Sequence, residues 1–236
     1  MRLSILVPVF NERATIREIL QQVRAAEITA DLTPGSTMEK DIVVVDDWST
    51  DGTREILREE GKSPGTRVLF HERNMGKGAA VRTALEQATG DIIIIQDADL
   101  EYDPTDYRVL LRPILKGRAK VVYGSRFLGE HKAMLFWHSV GNRLVTLVTN
   151  LLYDTTLTDM ETCYKVFTAE VARKIKLRAP RWGFDPEITA KILKHGYRIY
   201  EVPITYSGRE YGEGKKIRGR DVLTVLWTLL KHRFVD

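Results

Sequence analysis

The chain has 236 residues, 43% of them hydrophobic, which is enough apolar material for one α/β domain or two small ones. Its 36 basic and 32 acidic side chains leave a formal charge of +4, a modest excess that suits anionic partners; no helix-turn-helix pattern or zinc-ligand spacing marks a nucleic-acid binder. Cys163 is the single cysteine, which excludes an internal disulfide and points to a reducing, cytoplasmic setting.

In chain order, Leu3 to Val9 reads as a first strand, and Asn11 is placed to cap a helix from Glu12 to about Ala26. Ile16, Ile19, Leu20 and Val23 share one face of that helix. Pro34-Gly35-Ser36 marks a loop, and Asp41 to Asp46 is a second strand. A helix over Thr53 to Glu60, a strand over Thr66 to Phe70 and a helix over Lys77 to Thr89 follow. The run Asp91-Ile92-Ile93-Ile94-Ile95 is a strand buried on both faces, as in a parallel sheet. Pro104 to Lys116 is helical, kinked or ended by Pro113, and Ala119 to Tyr123 is a fifth strand. Trp137 to Tyr153 is apolar with helical spacing, and Cys163 to Phe167 reads as a strand. Asp185 to Gly196 is a helix, Tyr197 to Tyr206 is extended, and a helix from about Gly219 to Phe234 closes the chain. Repeated strand–helix units without a linker predict a single α/β domain over 1–236, with a parallel, doubly wound sheet. The N-terminus lacks the length and cleavage site of a signal peptide, and no run approaches the ~20 apolar residues of a spanning helix. The expectation is a soluble protein or one bound to a membrane surface.

The isoleucine strand ends in Asp97-Ala98-Asp99-Leu100-Glu101. Residues two apart in an extended segment point to the same side, so Asp97 and Asp99 are expected to project together, at the edge where open α/β sheets bind ligands. Two adjacent carboxylates repel, and a hard divalent cation relieves them while also holding a diphosphate. Asp46 ends the second strand, where a carboxylate can accept from a base N–H or ribose hydroxyls; Asp51 or Ser49 reads as a helix cap. Arg73-Asn74-Met75-Gly76-Lys77-Gly78 opens a helix with two glycines, which favours phosphate, although alone it reads first as a plain turn. The glycine-rich basic stretch from Arg209 to Arg220 is either a mobile loop or a cover for a diphosphate.

Taken together, PVFNE at 8–12, VDDWSTDGT at 45–53, RNMGKG at 73–78, QDADLEYDP at 96–104, YGSRF at 123–127, TDMETCYKVF at 158–167 and WGFDPEITAK at 182–191 resemble family 2 of the nucleotide-sugar-dependent glycosyltransferases. The resemblance is strongest to the polyprenyl-phosphate (dolichyl-phosphate) mannose or glucose synthases. It implies the GT-A fold, a mostly parallel Rossmann-like sheet flanked by helices, with a nucleotide-sugar-binding half over 1–125 and an acceptor half over 126–236. It implies that Pro8, Phe10, Asn11, Glu12, Asp46, Asp47, Asn74, Lys77, Asp97, Ala98 and Asp99 line the nucleotide-sugar site. Asp97, Asp99 and Glu101 would hold Mg²⁺ or Mn²⁺. Arg126, with Ser139 and Arg143 and, more weakly, His138 and Asn142, would meet an acceptor phosphate, because a planar guanidinium pairs two phosphate oxygens. Lys215 and Lys216 would steady the leaving group. Asp159 and Glu161 would hold sugar hydroxyls or brace their loop, with Lys165 neutralising them. Trp48 departs from the family pattern and either stacks on something or shields the pocket.

The implied reaction is inverting, metal-dependent sugar transfer from a GDP-mannose or UDP-glucose type donor to a polyprenyl phosphate, whose ionised oxygen needs no general base. A hydroxyl acceptor is the alternative and requires one, with Asp185, Glu187 or Asp159 available; a nucleotide-sugar-binding scaffold is the non-enzyme alternative. Many such relatives carry spanning helices beyond the point where this sequence stops. The stripes Trp137, Val140, Leu144, Leu147, Val148, Leu151 and Val222, Val225, Leu226, Leu229, Leu230, with Trp227 alongside, are therefore expected to be core or a peripheral membrane surface, with a separate membrane-anchoring partner as the other route.

Overall fold

Short apolar runs set the centre of the structure, a computed structural model that describes residues 1–28, 38–181, 183–208 and 221–235. The elements in chain order are β1 (Arg2–Val9), α1 (Ile16–Ala25), β2 (Glu39–Asp46), α2 (Thr53–Glu60), β3 (Thr66–Phe70), α3 (Lys77–Gln87) and β4 (Ile92–Ile95). A 3₁₀ turn, Pro104–Asp106, then runs into α4 (Tyr107–Leu115), followed by β5 (Val121–Ser125), α5 (Phe136–Tyr153), β6 (Lys165–Thr168), α6 (Ala169–Lys174), α7 (Phe184–Lys194), β7 (Ile199–Pro203) and α8 (Asp221–Phe234).

The strands form one seven-stranded sheet in the order β3-β2-β1-β4-β6-β5-β7. β1 pairs in parallel with β2 and β4, β2 with β3, and β5 with β7. β6 alone runs antiparallel, against both β4 and β5. The C-terminal ends of β1, β2, β4 and β5 therefore share one edge, and the reversed β6 brings the loop before it to that same edge. All four isoleucines of β4 are buried, each worth about 1.5–3 kcal/mol of removed apolar surface. Helices cover both faces, and α1 packs Ile16, Ile19, Leu20 and Val23 inward as its 3.6-residue spacing requires.

The structure corrects several expectations. α1 begins at Ile16 with Thr15 at its N-cap, so Asn11 does not cap it. Asn11 instead takes the left-handed conformation (φ 53°), which asparagine tolerates because its short amide bonds locally. β5 lies two residues later than expected and β6 begins at Lys165, past Cys163. The short helix α6, too short to show a period, was not anticipated. Pro113 lies within α4, two residues from its end, where the missing amide costs least.

Candidate active site

The loops after β1 and β2 are stitched together. The Asn11 N–H donates to Ser49 Oγ at 2.9 Å, its side-chain oxygen accepts from the Thr50 N–H at 2.8 Å, and the Glu12 N–H donates to Thr53 Oγ1 at 3.1 Å. Pro8 is buried within β1, Phe10 is half-buried and Glu12 is buried. Asp46, wholly buried, accepts from the Ser49 N–H at 3.2 Å and lies 3.4 Å from Arg54 Nε. The Arg54 guanidinium is itself sandwiched, 5.2 Å from the Trp48 ring centroid and 5.1 Å from that of Phe70. Trp48 thus does stack, on a cation of its own chain. It holds φ at 69°, an uncommon strain for a bulky residue and one that clusters at functional sites.

Asp47 has a different task. Its carboxylate accepts from His71 Nδ1 at 2.8 Å, the Met75 N–H at 2.8 Å and the Gly76 N–H at 2.6 Å, while Asn74 Nδ2 donates to its carbonyl at 3.1 Å. His71 Nε2 completes the chain to Thr83 Oγ1 at 3.0 Å. This buried anion holds the turn that delivers Lys77 to the sheet edge. Asp47 and Asn74 are spent largely on each other and on that turn.

Lys77 reaches Asp97 at 2.7 Å, with both side chains only partly exposed. Burial alone would raise the Asp97 carboxyl, but the Lys77 charge and hydrogen bond, together with the Cys163 thiol, hold it below the usual carboxylate range. The strand stops at Ile95, and the chain turns through Asp97 to a left-handed Leu100 (φ 62°). A turn, not an extended segment, therefore sets the two aspartates. Asp99 Oδ1 accepts from the Glu101 N–H at 3.2 Å, Tyr206 Oη donates to Glu101 Oε2 at 2.7 Å, and the buried Ala98 carbonyl accepts from Thr15 Oγ1 at 2.8 Å. Gln96, fully buried, holds this turn from behind. Its side-chain oxygen accepts from Tyr107 Oη and Tyr164 Oη, each at 2.8 Å, and its Nε2 donates to the Asp97 carbonyl at 3.0 Å.

Among the described residues no three His, Cys, Asp or Glu side chains stand together as a metal cage. The donor set nevertheless suits a hard cation: Asp97 and Asp99 are carboxylates on one turn, both partly open to solvent. Mg²⁺ is commonly held by one or two carboxylates plus substrate phosphates rather than by an all-protein cage.

Beside this turn the reversed β6 brings two further ion pairs. Arg126 grips Asp159 through Nε and Nη2, each at 2.7 Å, and its backbone N–H adds a third bond at 3.0 Å. Its guanidinium also lies 5.3 Å from the Tyr206 ring centroid. Lys165, fully buried, lies 2.6 Å from Asp185 and donates to the Thr162 carbonyl. The expectation that Lys165 neutralises Asp159 and Glu161 is corrected, since Arg126 serves Asp159 and Lys165 serves Asp185. Burial, with Asp185 beside it, pushes the Glu161 carboxyl up to about 8. Glu187 is occupied elsewhere, by Lys191 at 2.8 Å and the N–H groups of Arg178 and Ala179. On α5, Arg143 is exposed with its guanidinium 5.4 Å from the Phe127 ring, next to Arg126; Ser139 and His138 are partly buried one turn earlier. Lys215, Lys216 and the rest of 209–220 lie outside the described residues, as does Trp182.

Gln96, the Lys165–Asp185 pairing and the role of Asp47 escaped sequence reasoning. The one available signal was a polar residue in line with four isoleucines.

The two stripes part company. On α8, Val225 and Leu229 are buried with Val145 and Met160 in a small second core. Leu223 (71% exposed), Trp227 (65%) and Phe234 (78%) face out, as do Trp137 (78%) and Leu151 (76%) on α5. No helix among the described residues is long and apolar enough to cross a membrane.

Comparison with known proteins gives concordant results. The profile described as Glycosyl transferase family 2 matches residues 4–176. The chain is 32% identical over 234 residues to an uncharacterized protein of Methanocaldococcus jannaschii, covering 96% of this chain and 89% of that one. It is 26% identical over 219 residues to the dodecaprenyl-phosphate galacturonate synthase of Rhizobium johnstonii, covering 91% of this chain but only 62% of that protein. Among solved structures it superposes on glucosyl-3-phosphoglycerate synthase of Mycobacterium tuberculosis in complex with Mn²⁺, UDP and glucosyl-3-phosphoglycerate. That match has a TM-score of 0.70 at 20% identity, over 99% of this chain and 80% of that one, and its fold is GT-A. The chain belongs to glycosyl transferase family 2.

Proposed function

We propose that this glycosyltransferase moves a sugar, with inversion, from a GDP-mannose or UDP-glucose type donor to a polyprenyl phosphate. The observation that carries the reading is the state of the carboxylates offered as bases. Asp159 and Asp185 are each closed by a cation at 2.6–2.7 Å, and Glu187 by Lys191 and two backbone N–H groups. A general base must reach the proton it takes, and none of these is free to do so. A phosphate monoester is already ionised near neutral pH and needs no such help. The name of the Rhizobium johnstonii relative, a dodecaprenyl-phosphate sugar synthase, supports the same acceptor class.

In this reading the division falls near residue 125. Pro8, Phe10, Asn11, Glu12 and Asp46 take the nucleoside, and Lys77 lies ready for the diphosphate. Asp97, Asp99 and Glu101 are the residues that would hold Mg²⁺ or Mn²⁺, which when bound supplies positive charge to the leaving diphosphate. Lys215 and Lys216 are proposed for the same leaving group. Ser139 and Arg143 face the acceptor phosphate, with Arg143 as the outer, exposed guanidinium and Arg126 behind it offering only the N–H groups that Asp159 does not take. The acceptor's lipid end would lie along the exposed faces of α5 and α8, with Lys231 and Arg233 beside them to meet an anionic leaflet. In this reading the protein works peripherally, on the cytoplasmic face of a membrane.

The test is a panel of nucleotide sugars with a short isoprenyl phosphate and, separately, sugar hydroxyl acceptors, reading released GDP or UDP. Turnover only with the phosphate is expected. Transfer only to hydroxyl acceptors sinks the proposal.

A further inference from the structure

Four carboxyl groups, those of Asp97, Asp159, Asp185 and Glu161, gather where β4, β5 and β6 meet at the rim. Three have a cation of their own: Lys77 at 2.7 Å from Asp97, Arg126 at 2.7 Å from Asp159, and Lys165 at 2.6 Å from Asp185. Glu161 is the fourth. Its Oε1 is closed off from solvent and has no hydrogen-bond partner among the described residues. The charged groups that face it are Asp185 of α7, Lys165 of β6, Arg126 after β5 and Asp159 of its own loop. Each of those cations is already committed to one of those anions.

We infer that Glu161 stays in the neutral acid form and controls entry of the anionic acceptor, donating its carboxyl proton as a hydrogen bond to a phosphate oxygen. This rests on the phosphate-acceptor reading above. The three pairs cancel in formal charge, so this cluster of four carboxyls and three cations is neutral only while Glu161 keeps its proton. A phosphate monoester brings a charge of about −1.5 to −2. An ionised Glu161 would set a second anion against it where water is scarce, and like charges there repel strongly. The direction of its titration agrees, since burial and Asp185 raise the carboxyl to about 8 against the opposing pull of Lys165 and Arg126. Below that pH the group is protonated and admits the phosphate; above it the group is ionised and excludes it.

The test uses the full chain and a short isoprenyl phosphate between about pH 6.5 and pH 9.5. In the wild type, kcat/KM and calorimetric affinity are expected to fall about tenfold per pH unit above the Glu161 transition. In Glu161→Gln, which keeps the shape and stays neutral, the alkaline fall is expected to vanish from whatever kcat/KM and affinity the variant retains. A second measurement needs no variant: binding of the isoprenyl phosphate at about pH 8.5 should take up a fraction of a proton, read as a dependence of the heat on buffer ionisation.

Loss of turnover in Glu161→Gln at every pH, with nucleotide affinity and melting intact, would make the carboxyl a proton acceptor and overturn the inference. So would an alkaline fall that survives in Glu161→Gln, or binding without proton uptake. A wild type that turns over isoprenyl phosphate with no alkaline fall removes the role of Glu161 alone. A wild type that neither binds nor uses isoprenyl phosphate, yet glycosylates a hydroxyl, removes the acceptor reading and this inference with it.

Discussion

Removing the Asp47 carboxylate strips acceptors from His71 and from the backbone N–H groups of Met75 and Gly76 at once. Each buried group left unpaired costs about 1–3 kcal/mol. Asp47→Ala is therefore expected to lose about 3 kcal/mol of stability in urea unfolding and to raise the KM for the donor, because the turn that carries Lys77 loosens. Gln96→Leu makes a similar case from a residue that touches no ligand. Two tyrosine hydroxyls and the Asp97 carbonyl lose their partner. Its expected signature is a weaker apparent affinity for Mn²⁺, read by metal-dependent quenching or calorimetry, beyond any change in Tm. At this scale the placement of Asp46, Asp97 and Asp99 was legible, since each follows an apolar run and all lie at one edge. Asp47 was grouped with the nucleotide-sugar residues by the family resemblance, and the fold adds that its carboxylate also staples the turn at Met75 and Gly76. Partner choice was likewise invisible for Lys165, whose mate Asp185 is twenty residues away and arrives on a separate helix.

The first turn of α3 is pressed against residues 179–184. A Cβ on Gly78 would meet the Ala179 carbonyl at 2.2 Å and the Phe184 Cβ at 2.9 Å, and one on Gly76 would meet the Pro180 carbonyl at 2.5 Å. These glycines thus serve helix docking as well as any phosphate that approaches. Gly78→Ala is expected to cost about 1–3 kcal/mol as overpacking, checked by urea unfolding. The inward face of α1 followed from periodicity, and α2 and β3 fell at their predicted limits, whereas α1, β5 and β6 each began later than expected. The direction of β6 did not follow from periodicity, since apolar alternation has no arrow; pairing with β4 and β5 decides it. The reversal matters for function, because it is what carries Asp159 and Glu161 to the edge shared with Asp97.

For the molecule as a whole, α5 and α8 leave Phe136, Trp137, Trp227 and Phe234 exposed, and the proposed membrane docking gives them a task. Trp137→Asp combined with Trp227→Asp is expected to reduce co-sedimentation with anionic vesicles at least about tenfold, since each lost anchor removes apolar area from the interface. Sedimentation equal to wild type would refute a role for these faces. The sequence announced both stripes but did not say which side of α8 was already taken, a matter settled by the small core with Val145 and Met160.

The ion pairs Arg126–Asp159 and Lys165–Asp185 are withdrawn from water, whereas Lys231 and Arg233 at the end of α8 are not. Dissolved salt shortens the reach of exposed charge from about 10 Å at 0.1 M to about 3 Å at 1 M and hardly touches enclosed charge. Under the proposed docking, added KCl is therefore expected to loosen the hold on acidic lipid while leaving the unfolding midpoint almost where it was. Ionic strength then becomes a dial on that docking and not on whether the paired rim stays assembled.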